Sequence, residues 1–417
     1  MSATLNPSQQ RDFRYLLTAA GVSAVGSRIT RTAVPMAAVL LLGATPLELG
    51  WLSVLGVLPG ALVAWWAGAW IDRRSRRTVM ISADWIRAFV IGSVPLAAVI
   101  GHVTLMQLGL VAAFMCVATM LFEIADHAYL PVIIPSQHLV PANSKREAID
   151  ALAEITGPSF GGALVQWLTA PFALAVDACS FVVSALLIGR MRAREPLTNQ
   201  DGRSRQATGT QLLREARGGV RIVWHHPLLR PLFLSTTIYY FFMSFAASLY
   251  TLFALQTLHL SPAVLGVVIG CGGLGALAGA GAAPVLARRM GSGRLALASL
   301  FLGGLAQIFI PLAPADAVTG ASFLIASQLL GDSLLTVFAI AQTSLRQRAI
   351  AADALGRTAA VWKMAVSIVV PIGMMIGALL ADYAGIRAAM WVLVLGVILA
   401  GAPLAFAWRT LATLLQS

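Results

Sequence analysis

Along this chain the apolar positions do not alternate with polar ones; they run on. Windows of about 20 residues in which nearly every position is apolar follow one another, each long enough to cross about 30 Å of hydrocarbon as a helix. Twelve are predicted, at approximately 13–41, 47–70, 79–101, 104–131, 144–168, 170–190, 230–256, 263–287, 294–313, 318–344, 357–381 and 386–410. A membrane β-barrel would show shorter segments, of about 10 residues, alternating in polarity. The pattern predicts an all-α, polytopic membrane protein with twelve transmembrane helices.

The longest polar stretch, Gly189 to Pro227, follows the sixth window and divides the chain six plus six. The expected organisation is therefore an N-terminal bundle at 1–190, a linker at 191–229 and a C-terminal bundle at 230–417. Gly, Ser, Thr, Gln and Arg dominate the middle of the linker, as in mobile connections. Its end, Thr210 to Trp224, fits a short helix lying on an anionic leaflet. A shift of 215 residues lays Arg73 and Arg74 on Arg288 and Arg289, and "GGAL" (Gly161–Leu164) on "IGAL" (Ile376–Leu379). One shift serving two separated places predicts a duplicated six-helix unit. Parallel repeats around a midplane substrate site are a transporter architecture.

Composition agrees with the pattern: of 417 residues 58% are hydrophobic and 11% charged, more apolar surface than a water-soluble domain hides. The net charge of +12 changes the picture only when its positions are sorted. With the N-terminus cytoplasmic, 24 of the 29 Lys and Arg fall at cytoplasmic ends or loops, the bias that fixes membrane orientation. Both termini are thus expected inside a multi-pass plasma-membrane protein, and no nucleic-acid partner is needed to explain the charge. Cys116, Cys179 and Cys271 sit in apolar windows without metal-ligand spacing, so neither a metal nor a disulfide framework is expected. No phosphate-binding GxxxxGK[ST] is present, which argues against direct ATP use, and no cofactor is implied. The first window is too long for a cleaved signal and lacks a cleavage site.

Ionisable residues inside such windows cost a few kcal/mol each on insertion, so each is a functional candidate. Arg28 and Arg31, three apart on one helix face, can attract an anionic group or hold a carboxylate partner. Glu123 and Asp126, beside His127, offer a proton relay, an entry acid for a cation, or a gate salt bridge. Glu154, one turn before Gly157–Pro158, can partner any of these. Asp332 is a lone carboxylate near the centre of the tenth window, a candidate proton or cation site. Tyr239, Tyr240 and Phe242 begin the stretch "YYFFMSFAASLY", which suits either packed core or the wall of an amphipathic cavity. Lys363 lies close enough to a helix end to reach water.

Between the second and third windows stands "GAWIDRRSRR", Gly68 to Arg77. Its arginines anchor a short loop to the cytoplasmic side. Gly68 and Asp72 are one helical turn apart, a spacing that would let a neighbouring helix approach the carboxylate.

The same stretch resembles the loop signature of the major facilitator superfamily, and "ITGPSFGGAL" (Ile155–Leu164) resembles the fifth-helix signature of its drug exporters. "SADWIRA", "AYLPVIIPSQHLVPANS", "VDACSFVVSALLIGRMRAREP" and "SLRQRAIAADALGR" are similar to the macrolide-efflux and siderophore-exporter-like branch. The resemblance implies two rocking six-helix bundles, with helices 1, 4, 7 and 10 lining a central cavity that holds the embedded charges. It implies a monomeric secondary exporter of a drug-like, macrolide-like or siderophore-like small molecule, with protons as the coupling ion. It also implies a conformational latch formed by Gly68, Asp72, Arg73, Arg76 and Arg77 with Asp84 and Arg87, and a hinge and packing site at Gly157, Pro158, Gly161 and Gly162. Asp177 is expected to pack or cap. The sequence departs from the pattern at Ser75 and Ala153, and its fourth helix lacks the embedded Arg of proton-coupled relatives. Other readings of the same residues are an importer, a non-transporting sensor, or a membrane-embedded enzyme using the Glu123–His127 cluster.

Overall fold

The computed structural model describes residues 6–71, 73–193, 209–351 and 354–407, and all regular structure among them is helical. Asp72 of the expected latch lies outside the described residues. Among the described residues, eleven helices are long and apolar enough to cross a membrane. The fifth predicted window, 144–168, falls in a helix of sufficient length, Leu139–Leu168, but Lys145, Arg146, Glu147, Asp150 and Glu154 and a run of glycines keep it below that apolarity.

The chain separates into two compact units. The first comprises Met1–Thr198 with Leu260–Gly270, the second Asn199–His259 with Cys271–Ser417. In the first unit the helices are α1 (Pro7–Leu42), α2 (Pro46–Leu55), α3 (Leu58–Ile71), α4 (Arg76–Ile100), α5 (Leu105–Ile133), α6 (Leu139–Leu168) and α7 (Ala170–Gly189). The second predicted window is therefore broken, at Gly56–Val57, into α2 and α3. Side chains accept from free amides at the helix starts: Thr45 from Glu48, Thr104 from Gln107 at 3.1 Å, Ser75 from Thr78. Helix α1 packs on α6 and α7, and α4 on α5 and α7. Leu16, Met80, Ala125, Tyr129 and Ile188 form a core at the end where α7 finishes. There the buried Asp12 carboxylate accepts the amides of Arg192 and Ala193 at 2.9 and 2.8 Å, and the Tyr129 hydroxyl donates to the Ala193 carbonyl at 3.1 Å.

The second unit holds α8 (Gly209–His225), α9 (Leu229–Leu252), most of α10 (Pro262–Met290), α11 (Ser292–Ala306), the short α12 (Phe309–Leu312), α13 (Ala317–Ala326), α14 (Asp332–Ala349), α15 (Leu355–Ala384), α16 (Ile386–Leu399) and α17 (Ala402–Phe406). Helix α8 covers the segment expected to be a short helix after the linker, and it packs on α15 and α9. Helix α9 runs into a π-turn at Phe253–Thr257, and a second π-turn at Ser327–Gly331 joins α13 to α14. Helix α9 packs on α15 and α16, and α11 on α14 and α16. At the start of α13 the Thr319 amide and hydroxyl hold the exposed Asp316 carboxyl below its ordinary range.

Large apolar side chains face outward as well as inward: Phe89, Leu96, Val99 and Phe114 are all exposed, Phe89 by 72%. In water such a surface would be a liability; in hydrocarbon it is what a helix spanning a membrane must present.

Candidate functional site

Three of the sequence-selected residues of the first unit converge. Glu154 of α6 reaches across to α1, its Oε2 2.8 Å from Arg28 Nε, while its Oε1 accepts from Arg31. The backbone explains the fit: a side chain at Gly157, one turn further along α6, would run into the Arg28 side chain, so the glycine lets that arginine lie along α6. Glu123 and Asp150 also act electrostatically on Arg28. Arg31 and Glu154 remain 55% and 37% exposed, so the cluster is a solvated, net-positive triad rather than a sealed ion pair.

The expected trio on α5 is not brought together. Asp126 turns inward and is salt-bridged to Arg146 of α6, whereas Glu123 and His127 are exposed. A residue three positions on lies about 60° around a helix from its partner, enough here to put one acid inside and the other out. Of these residues, Asp126 is the one held in a salt bridge.

The deepest charges are on α4 and α7. Asp84 and Arg87 are ion-paired and almost fully buried, with 0% and 2% of their side chains exposed. The Arg87 guanidinium lies between the rings of Phe122 and Phe181, 4.3 Å from each centroid, a desolvated cation–π sandwich. Asp177, also fully buried, accepts from the hydroxyls of Thr30 on α1 and Ser180, the latter at 2.8 Å. A Cβ on Gly26 would fall on Asp177 and Ser180, so α1 passes this acid closely only because it carries no side chain there. Sequence reasoning gave Asp177 no functional weight, although the rule that singled out Asp332 applied equally to it.

The start of α4 is tied back to the unit: Arg76 donates to the Ala128 carbonyl at 3.2 Å, and Arg77 to the carbonyls of Ile188, at 3.1 Å, and Gly189. Arg73 is exposed, and Arg74 lies over Trp70 at 5.4 Å. A side chain at Gly68 would meet nothing within 4 Å among the described residues, and the approach expected at Asp72 lies outside them. The glycine seam of α6 does make close contacts. Gly161 meets Ile29 of α1, where an added Cβ would lie 3.2 Å from Ile29 Cα. Gly162 faces Gly266 in the Leu260–Gly270 segment, where it would lie 2.9 Å from Gly266 Cα. Pro158 is buried in the same seam, its carbonyl facing Gly266.

In the second unit the aromatic stretch divides in two. Tyr239 stacks edge-on with Tyr240 at 5.0 Å and with Phe338 of α14 at 5.6 Å. Phe242 turns instead to Phe241 and Phe245, at 5.0 and 5.6 Å, and sits over Gly396 of α16. Asp332 is half-buried at the exit of the second π-turn. Tyr239 and Tyr250 are within its electrostatic reach, and Gly272 leaves the space that its carboxyl and the Gln328 amide occupy.

Long apolar helices that carry charged residues within them are what a polytopic transporter presents. The Major Facilitator Superfamily profile matches residues 16–352 and 232–414, and the chain belongs to that family of membrane transporters. It is 23% identical to macrolide efflux protein A of Streptococcus pyogenes over 347 residues, covering 83% of each chain. It is 26% identical to the multidrug efflux pump Tap of Mycolicibacterium fortuitum over 401 residues, 94% of each. The fold superposes on a bacterial homologue of the iron transporter ferroportin with a TM-score of 0.76 at 19% identity, covering 95% of this chain and 98% of that one.

Proposed function

We propose that the protein is a secondary exporter that expels a bulky, amphipathic drug-like or secondary-metabolite molecule across the plasma membrane by alternating access, in exchange for protons. The observation that carries the reading is the end-to-end similarity to efflux proteins, Tap above all, in a chain whose embedded charges survive at membrane depth. In this proposal the bundles at 1–190 and 230–417 rock about a site between them, joined by the 191–229 linker, with both termini cytoplasmic and the protein working as a monomer. Arg28, Arg31 and Glu154 supply an adjustable charge pattern for the polar part of the cargo. Tyr239, Tyr240 and Phe242 supply aromatic surface for its apolar part. Asp332 is a coupling acid of the second bundle.

The test is accumulation of ethidium and of erythromycin in an efflux-deficient host, with and without an uncoupler. Expression should lower accumulation of at least one compound, the uncoupler should abolish the difference, and Asp332→Asn should weaken it. Unchanged accumulation of both compounds overturns drug export; export indifferent to the uncoupler overturns proton exchange.

A further inference from the structure

Asp84, Arg87 and Asp177 form a buried set whose charges do not balance. Two carboxylates face one guanidinium, and the three residues are 0%, 2% and 0% exposed. Both acids act on Arg87. Among the described residues the surroundings supply no second cation. From α5 come Asp126, already matched by Arg146 of α6, and Glu123, a further negative charge. From α1 comes only the Thr30 hydroxyl, because Arg28 and Arg31 are engaged with Glu154 of α6. With both acids ionised the set carries a net charge of −1 in the dry interior of a membrane-spanning unit, the situation that a buried group escapes by taking a proton.

The hydrogen bonds indicate where the proton sits. Each Asp177 oxygen has a hydroxyl donor, from Thr30 and from Ser180, so its ionised form is well provided for. Asp84 Oδ1 is held by Arg87, but its Oδ2 is buried with no donor. The Ser184 hydroxyl lies beside Asp84 and is equally buried. That hydroxyl can donate to Oδ2 while Asp84 is ionised and accept from it once Asp84 is protonated, so the oxygen can be served in either protonation state.

Resting on the exporter reading above, we propose that this set is a proton-binding site for coupling in the first unit. One proton, carried on Asp84 Oδ2, exchanges during transport, and Arg87 passes its counter-charge between Asp84 and Asp177. Loss of the proton returns Asp84 to a carboxylate and draws Arg87 to it. Gain of the proton leaves Arg87 to Asp177, which is tied to α1 through Thr30. Because Asp84 is on α4 and Asp177 on α7, the exchange changes which helix holds the cation.

Purified protein in detergent is titrated by infrared spectroscopy, reading the C=O stretch of protonated carboxyl groups as the difference between wild type and variant. Removing either acid leaves one carboxylate balanced by Arg87, so Asp84→Asn and Asp177→Asn should each lose one protonated-carboxyl band present in the wild type near neutral pH. Equal band intensity in wild type and either variant overturns the proposal. If neither variant gives a monodisperse protein, the wild-type titration decides alone: no protonated-carboxyl band near neutral pH overturns it. In proteoliposomes, ethidium export driven by a pH gradient should fall at least tenfold in both variants, while ethidium counterflow without a gradient persists. Wild-type protein that moves no ethidium counts against the exporter reading, and the infrared result still decides the proton site.

Discussion

The two units bury different chemistry. Among the described residues, every almost fully buried charged side chain belongs to the first: Asp12, Asp84, Arg87, Asp126 and Asp177. The buried polar groups of the second are neutral, namely Ser235, Thr236, Ser244, Ser248, Ser299, Gln307, Ser327, Gln342 and Thr358. Most of its hydroxyls are spent within their own helices, as Thr236 donates to the Leu232 carbonyl and Ser299 to that of Leu295. Its close contacts include aromatic rings over glycine, Phe242 on Gly396 and Phe245 on Gly377. Comparable apolar envelopes are thus held in two ways: one interior is fixed by paired charges that demand particular partners, the other by shape. On the proton proposal above, the first responds because its pairing has alternatives.

Arg87→Leu tests this contrast most severely. It leaves two buried carboxylates without their cation and should cost about 3–5 kcal/mol, the range for breaking a buried ion pair. Ser248→Ala in the second unit should cost about 1 kcal/mol, the value of one ordinary hydrogen bond. Thermal unfolding in detergent measures both, and equal shifts would erase the distinction. Next comes Gly161→Leu, which forces a branched side chain against the Ile29 backbone and should cost about 1–3 kcal/mol by overpacking. Ethidium efflux should vanish while membrane insertion, followed by protease accessibility, is unchanged. Retained efflux would show that the α1–α6 contact is not where the first unit must stay tight. The smallest effect is expected from Glu154→Gln. It unpairs two arginines that water already reaches, so stability should fall by less than about 1 kcal/mol, while preference between cationic and anionic dyes shifts. A large stability loss there would place the triad with the buried charges instead.

The membrane class was legible because long apolar runs admit one backbone solution. The Arg28, Arg31 and Glu154 triad was legible only in part: a charge in such a run needs a partner, but Glu154 was open to any of the embedded candidates. What stayed hidden was direction. A helix that is apolar all round has no face that announces itself as inward. Nothing in the order of residues therefore revealed that Asp126 points to Arg146 while Glu123 looks out, or that Arg87 is clasped by Phe122 and Phe181. Arg146 was legible only as a marker of topology, and Asp177 only as a residue shared with similar proteins. The breaks within windows escaped for a related reason: Gly56 and the π-turns alter the path of a helix without making it less apolar.

Those wide turns, at Phe253–Thr257 and Ser327–Gly331, have a mechanical meaning. Each stores one residue more than a regular turn of the same height, as a slack link in a chain does. Tightening the link would wind everything beyond it by roughly 100° and advance it by about 1.5 Å, with no peptide bond leaving its hydrogen-bonded ladder for lipid. For the acid that begins α14, at the outlet of the second link, that single notch is the difference between two neighbourhoods. The unit that holds its shape by close packing thereby keeps a place where a helix can be rewound without being unpacked.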